Sequence, residues 1–347
     1  MNAYCAMKGK GVLAAAAVGL VLLAGATAAP PQPPIKAGDY TITGPYGYRD
    51  LTVFLIRGPD RLQGKSYLTL QEALEKKIVI VHETGNVSEL SVENVSRDQD
   101  VYIQSGDIVK GGRQDRTIAM DFIVPPHSGK MPINAFCVEH GRWQARGGEA
   151  ASHFGSSENS LSGRELRLAA KRQADQSAVW QEVTTNQAKL AVAVSQPVTD
   201  ARSPSSFELS LESKPVQDHV NDYVQSLQKT IDGQNDVIGY AFAINGKINS
   251  ADIYASHELF AKLWPKLLRS SAVEAVADLR KDGTSAAARA DDVRACILDS
   301  QAGKRSEKDV TPRVQVVTQE TDRNVVFVTR DREAGDSVVH ENYVNKK

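Results

Sequence analysis

Val101-Tyr102-Ile103-Gln104-Ser105-Gly106-Asp107-Ile108-Val109-Lys110-Gly111-Gly112-Arg113-Gln114-Asp115-Arg116-Thr117-Ile118 places a dense polar segment between apolar runs, and Phe122-Ile123-Val124 follows directly. Between Gln104 and Arg116 stand three glycines (Gly106, Gly111, Gly112), three cations (Lys110, Arg113, Arg116) and two acids (Asp107, Asp115). Short apolar runs bounded by glycine and polar residues read as strands joined by turns. A polar turn carried on such a rigid scaffold is where a site is expected.

Outward from this segment the same grain continues. Leu51 to Ile56 and Ile78 to Val81 are strand-like, Val87 to Val95 alternates as a sheet with one wet face does, and Ile133 to Val138 returns after the turn Pro125 to Gly129. Leu68 to Glu75 reads as a short helix capped by Thr69. The spacing suggests a β-sandwich or jelly-roll-like unit. From Gly147 to Ser162 the chain is loop-like, and helices then take over. Ser162 to Glu165 has the form of a capping box. A second helix carries Val179, Trp180, Val183, Gln187, Leu190, Ala191 and Val194 on one face, and Ser195 to Phe207 reads as a flexible connector. A third helix, starting at Ser213, carries Val216, Val220, Tyr223, Val224 and Leu227.

Val237 to Tyr254 is a hairpin turning at Asn245-Gly246, which suits a type I′ turn. Ser256 caps a helix in which Pro265 implies a kink or a break. Lys281 to Asp292 reads as loose, and Val314–Val317, Val325–Thr329 and Val338–Val344 as a meander. The fold class is α+β: a sandwich-like N-terminal part, a helical middle, then hairpin, helix and short C-terminal strands. The expected organisation is a signal peptide at 1–28, a Pro-rich spacer at 29–38 and a single body at 39–346. That body comprises a β-rich part (39–146), helices and loops (147–212) and the remainder (213–346).

The N-terminus has the marks of an export signal. Lys8 and Lys10 precede an apolar core from Gly11 to Gly25, and Ala26-Thr27-Ala28 fits the small-x-small cleavage rule. The core is short for a membrane span, which needs about 20 apolar residues. An exported, periplasmic or extracellular protein is expected, with no membrane span once the signal is removed. Cys5 would leave with the signal, and Cys137 and Cys296 are then a disulfide candidate in an oxidising compartment, or else two buried thiols. A formal charge of −1 and 6% aromatic residues give neither the electrostatic footprint nor the stacking platform of a nucleic-acid binder.

Three stretches together resemble a bacterial family named for its association with ADP-ribosylglycohydrolases and rhodanese/phosphatase-superfamily proteins. They are Gly106 to Arg116; Phe136-Cys137-Val138-Glu139-His140-Gly141-Arg142-Trp143; and Ile244 to Lys247 leading to Leu259 to Leu268. The likeness covers roughly Tyr40 to Val344. It implies one continuous unit and no established activity.

The residues themselves offer one main candidate site. Backbone N–H groups in glycine turns form anion-binding nests, and Lys110, Arg113 and Arg116 would complete a clamp around Gly111 and Gly112, with Glu139 and Arg142 nearby in sequence. The alternative is an internally paired turn in which Arg113 and Arg116 bond Asp107, Asp115 or Asp121. His127, Glu139, His140 and His153 match no zinc spacing, so no metal is expected, and no motif calls for a cofactor. Arg164, Arg167 and Lys171 form a basic stripe expected to face solvent. His340 reads as an ordinary surface or helix-end residue. The leading reading is a non-catalytic binding or interaction module for a small anionic molecule. A hydrolase of such a molecule is the alternative, with Asp107 or Asp115 as general base beside Arg113 and Arg116. A structural envelope protein is the third.

Overall fold

A computed structural model describes residue 1 and residues 35–62, 64–280 and 286–347. The signal peptide, most of the Pro-rich spacer and the start of the Lys281–Asp292 stretch lie outside these residues. The strands are β1 (Ile35–Ala37), β2 (Tyr40–Tyr48), β3 (Leu51–Arg57), β4 (Leu68–Thr69), β5 (Val79–Glu83), β6 (Glu89–Asn94), β7 (Val101–Ile103), β8 (Asp107–Gly111), β9 (Arg116–Ile118), β10 (Phe122–Val124), β11 (Lys130–Cys137), β12 (Phe154–Ser160), β13 (Val237–Ile244), β14 (Lys247–Tyr254), β15 (Lys304–Asp309), β16 (Val314–Glu320), β17 (Asn324–Asp331) and β18 (Ser337–Asn345). The α-helices are α1 (Leu70–Glu75), α2 (Arg164–Leu168), α3 (Gln176–Val194), α4 (Phe207–Glu212), α5 (Lys214–Leu227), α6 (His257–Ala277) and α7 (Ala290–Gln301). The architecture is α+β with a β-rich N-terminal part.

The nine-stranded sheet runs β1-β2-β3-β13-β14-β18-β17-β16-β15, so strands from both ends of the chain meet in it. Its interior strand β13 is buried throughout because both faces are covered. Tyr240, Phe242 and Ile244 join the core built with α3, α5 and α6, while Ile238, Ala241 and Ala243 face the core that includes Val293 and Ile297 of α7. The β13–β14 turn has φ 50° at Asn245 and 74° at Gly246, the left-handed pair that a type I′ turn requires. The helix capped by Ser256 runs unbroken through Pro265 over 21 residues, held by its apolar face against that sheet.

A three-stranded sheet (β10-β7-β4) and a six-stranded sheet (β12-β8-β9-β11-β6-β5) share one core, with Leu68, Val101, Ile103 and Phe122 from the first and Val81, Val92, Val109 and Ile118 from the second. This is the sandwich-like part. Arg313 bridges it to the nine-stranded sheet, donating to both carboxylate oxygens of Asp100 at 2.6 and 2.7 Å and to Asp331 at 2.8 and 2.7 Å.

Several expectations need correction. The loop-like stretch 147–162 contains β12, which pairs with β8, Phe154 opposite Gly111 and Ser160 opposite Asp107; its Gly, Ser and Asn content hid a strand whose partner is distant in sequence. The Ser162 capping box does not form: Gly163, at φ 106°, occupies the cap without a side-chain bond. The connector 195–207 leads into α4, capped by Ser206. Cys137 and Cys296 are free rather than bonded. Each is buried in its own surroundings, Cys137 against the Val87 carbonyl and Cys296 against Asn324. Burial pushes their thiols up to about 11 and about 12. They behave as small core residues.

Candidate site at the glycine-rich hairpin

Strands β8 and β9 make the hairpin that presents Gly111 to Asp115, with Ile108 opposite Thr117 and Val109 opposite Arg116. Gly111 and Gly112 both take positive φ, 113° and 53°. At Gly112 a Cβ would lie 2.3 Å from the Phe154 ring and 2.9 Å from Glu83 Oε2, so only glycine fits. The turn's amides form the expected nest, but the chain fills it with its own carboxylates. Gly111 N–H donates to Asp115 Oδ1 (3.1 Å), Arg113 N–H to Glu83 Oε2 (3.0 Å) and Asp115 N–H to Glu139 Oε2 (3.0 Å).

The cations on those acids come from elsewhere in sequence. Arg146 donates to both oxygens of the fully buried Asp115, at 3.0 and 3.2 Å, and to Glu149 at 2.8 Å. Ser206 Oγ donates to Asp115 at 3.0 Å. Arg142 donates from Nε to Glu139 at 2.7 Å and from its terminal nitrogens to the Gly111 and Gly112 carbonyls, both at 3.3 Å. Burial and the neighbouring Glu139 charge raise the Asp115 carboxyl above its usual range, against the pull of Arg146. Burial also works to raise Glu139, but the bonds from Arg142 and Ser203 hold it below. Two adjacent carboxylates are thereby pushed apart.

Of the residues singled out in the sequence, Gly111, Gly112, Asp115, Glu139 and Arg142 converge. Asp107 pairs instead with Lys266 of α6 at 3.0 Å, and Lys110 with Glu212 of α4. Arg116 is wholly buried on the sandwich side, bonded to the Gln114 carbonyl at 3.2 Å and 3.8 Å from Glu83. Arg113 is exposed and has no ion pair among the described residues.

A groove runs over this network. His140 to Gln144 form one wall and Arg202 to Ser205 the other, enclosing about 570 Å³. A second lobe of about 240 Å³ is lined by Val87, Gln114 and Trp180. The walls are tied by His140 N–H to Ser205 Oγ (3.0 Å), and the Ser205 hydroxyl donates back to the His140 carbonyl (2.5 Å). Trp180 meets His140 edge to face at 4.6 Å and donates its indole N–H to the Glu139 carbonyl at 3.2 Å. Trp143 is 51% exposed beside them, one of few large apolar side chains left in water. Among the described residues no three His, Cys, Asp or Glu side chains are grouped to hold a metal ion.

The family model described as ARG and Rhodanese-Phosphatase-superfamily-associated Protein domain matches residues 39–344, which takes in the hairpin, the groove and the C-terminal meander. The chain belongs to this family. The name records an association and specifies no molecular activity, and neither curated proteins nor solved structures include a significant match. Among the described residues no helix is long and apolar enough to cross a membrane. Within this family member, sequence reasoning missed Arg146, Ser206, Glu83 and Trp180. Arg146 and Ser206 stand 31 and 91 residues from Asp115, the first at the end of the stretch read as β-rich and the second in the stretch read as connector, and nothing local marks them.

Proposed function

We propose that the protein is an exported binding module whose groove takes a small organic anion with a flat apolar part. The observation that carries this reading is the half-exposed Trp143 next to the Trp180–His140 pair, on a groove floored by a rigid ionic network. Concave sites with aromatic walls and a few oriented polar groups are typical of ligand pockets. Arg142, fixed by Glu139, and Arg202, held by Asp200, stand along the walls to receive the acidic group. The glycine-rich hairpin supports the floor, since its amides and acids are already engaged. Export is supported by the basic, apolar and small-residue order of residues 8–28.

Phenyl phosphate, benzoate and inorganic phosphate serve as probes in a tryptophan-fluorescence titration. Saturable change with the two aromatic anions, a weaker response to phosphate, and loss of response in Trp143→Ala are expected. No saturable response to any of the three, at concentrations up to tens of millimolar, would overturn the binding reading. Mass analysis of the protein recovered from the medium or periplasm should find a mature N-terminus at Ala29.

A further inference from the structure

A second cluster of ionisable groups lies away from the groove, where α2 meets the nine-stranded sheet. After Leu168 the helix widens into a π-helical turn over Ala169–Gln173 and stops at Ala174 in the left-handed region. Such turns recur at functional sites. Arg167 and Lys171, expected to face water, turn inward here instead, whereas Arg164 stays outside with Glu165. They line a cavity of about 40 Å³ together with Tyr240, Asp252, His340 and Asn342. A buried water needs on the order of 10–15 Å³ by this measure, so the space holds about three. It opens along the helix, where Arg167, Leu168 and Lys171 keep partial exposure.

Arg167 is committed: it pairs with Glu274 and donates to Asn249 at 2.8 Å. Lys171 is not. Its amine lies 3.3 Å from Asn342 Oδ1 and 4.7 Å above the Phe327 ring, with no carboxylate in ion-pair reach among the described residues. Burial lowers its pKa, Asp121 and Asp252 oppose that, and Arg167 adds to it, so the neutral amine is favoured relative to an exposed lysine. His340, far from being a surface residue, is fully buried. Its Nδ1 is 2.8 Å from Asp121 Oδ2 and its Nε2 3.0 Å from Asp252 Oδ1, with Tyr254 stacked on the ring at 4.5 Å. Burial works to lower its pKa, but the two carboxylates raise it, so the imidazolium is favoured relative to an exposed histidine. An amine without an ion pair and a histidine–carboxylate cluster lining the same small, polar, partly closed cavity make an arrangement suited to condensation with a carbonyl group.

We propose that this cavity is a reactive site in which the Lys171 amine condenses with a small aldehyde or ketone, the proton passing from His340 through Asp252, whose carboxylate accepts from the ring and lines the cavity. The amine lone pair attacks the carbonyl carbon and the C=O π pair moves to oxygen, which takes up a proton. The resulting carbinolamine loses that oxygen as water while nitrogen gives up its second proton, leaving a C=N bond to Lys171. One carbonyl compound and one amine give one imine and one water, with no oxidant or reductant needed. The cavity limits the substrate to about three or four non-hydrogen atoms and excludes sugars and nucleotides.

Propanal is the probe. The full chain is incubated with it at neutral pH, borohydride reduces any imine to a stable secondary amine, and the modified lysine is located by peptide mass mapping. Lys171 should be labelled at least tenfold faster than exposed lysines such as Lys214, and the adduct should be absent in Lys171→Arg. His340→Gln, checked for folding by its melting curve, should slow the labelling; should it fail to fold, the wild-type profile decides, with Lys171 labelled near neutrality and exposed lysines only in alkaline solution. Labelling of folded protein spread over surface lysines, with Lys171 no faster than the rest, would overturn the proposal.

Discussion

The glycine-rich hairpin and the Lys171 cavity are both assembled from buried ionisable side chains, yet they differ in what remains once the chain has paired its own groups. At the hairpin, Asp115 and Glu139 accept from Arg146, Arg142, Ser206 and backbone amides, while among the described residues the buried Arg116 keeps Nε and one terminal nitrogen without a hydrogen-bond partner and Arg113 points outward without an ion pair. In the cavity, Arg167, Asp121, Asp252 and His340 are likewise paired, but one amine is left without a counter-charge next to open space. Both sets are drawn from distant parts of the chain, Arg146 lying 31 residues from Asp115 and Asp252 lying 88 residues from His340. The difference is that the cavity leaves its spare amine next to open space.

The sharpest way to break this contrast is Asp115→Ala. It removes the buried carboxylate that Arg146 grips with both terminal nitrogens, leaving that arginine Glu149 and, at 3.5 Å, Glu139, and removing one partner of a buried pair costs about 3–5 kcal/mol; urea unfolding monitored by circular dichroism reads it. A loss below about 1 kcal/mol would mean that the hairpin's acids are not structural.

The pH dependence tests the same region from another side. Glu208 of α4, fully buried with Ser157 Oγ 2.6 Å away, has its carboxyl raised to about 7, chiefly by burial and then by Glu212 and Asp115 against the Ser157 bond. A carboxyl whose folded value exceeds its unfolded value, about 4.3, makes the folded state the better proton binder. Its contribution is therefore greatest below that value and falls as pH rises to about 7, by on the order of 3 kcal/mol at most. Glu208→Gln should flatten stability between pH 5 and 7, and an unchanged slope would contradict the assignment. His340, raised in the folded state, also loses stability with rising pH, but only above its unfolded value of about 6.5.

Gly112→Ala comes next, at about 1–3 kcal/mol, because its Cβ meets Phe154 and its φ is positive. The smallest effect belongs to the cavity. Lys171→Met removes a desolvated amine with no ion pair and keeps the apolar stem, so its melting temperature should match wild type or rise. A destabilisation as large as that of Asp115→Ala would show that Lys171 is structural.

Much of the fold was legible because its signals are local. Alternation gave the strands from Leu51 to Val138, Asn245-Gly246 gave the hairpin, and Ser256 gave the start of α6. β12 was hidden because its polar composition is tolerated only by pairing with β8. The site was legible in part: Gly111, Gly112, Asp115, Glu139 and Arg142 do converge, but their counter-charge Arg146 lies in an unremarkable Gln-Ala-Arg-Gly stretch. The basic stripe misled because its face was taken to meet water, whereas Arg167 and Lys171 reach Asn249 and Asn342 of the nine-stranded sheet, far away in sequence. His340 looked isolated because its partners Asp121 and Asp252 are 219 and 88 residues distant.

The claim that the hairpin binds its own chain is tested most directly by melting Arg146→Ala and Arg113→Ala side by side, each with and without phosphate. Arg146→Ala should lose about 3–5 kcal/mol, because Asp115 and Glu149 lose their partner in a buried setting. Arg113→Ala should stay within about 0.5 kcal/mol of wild type, as expected for an exposed side chain without an ion pair. Phosphate should leave the order unchanged and should not stabilise wild type through Arg113. A phosphate-dependent rise in wild-type melting temperature that vanishes in Arg113→Ala, or equal losses in the two variants, would contradict the account.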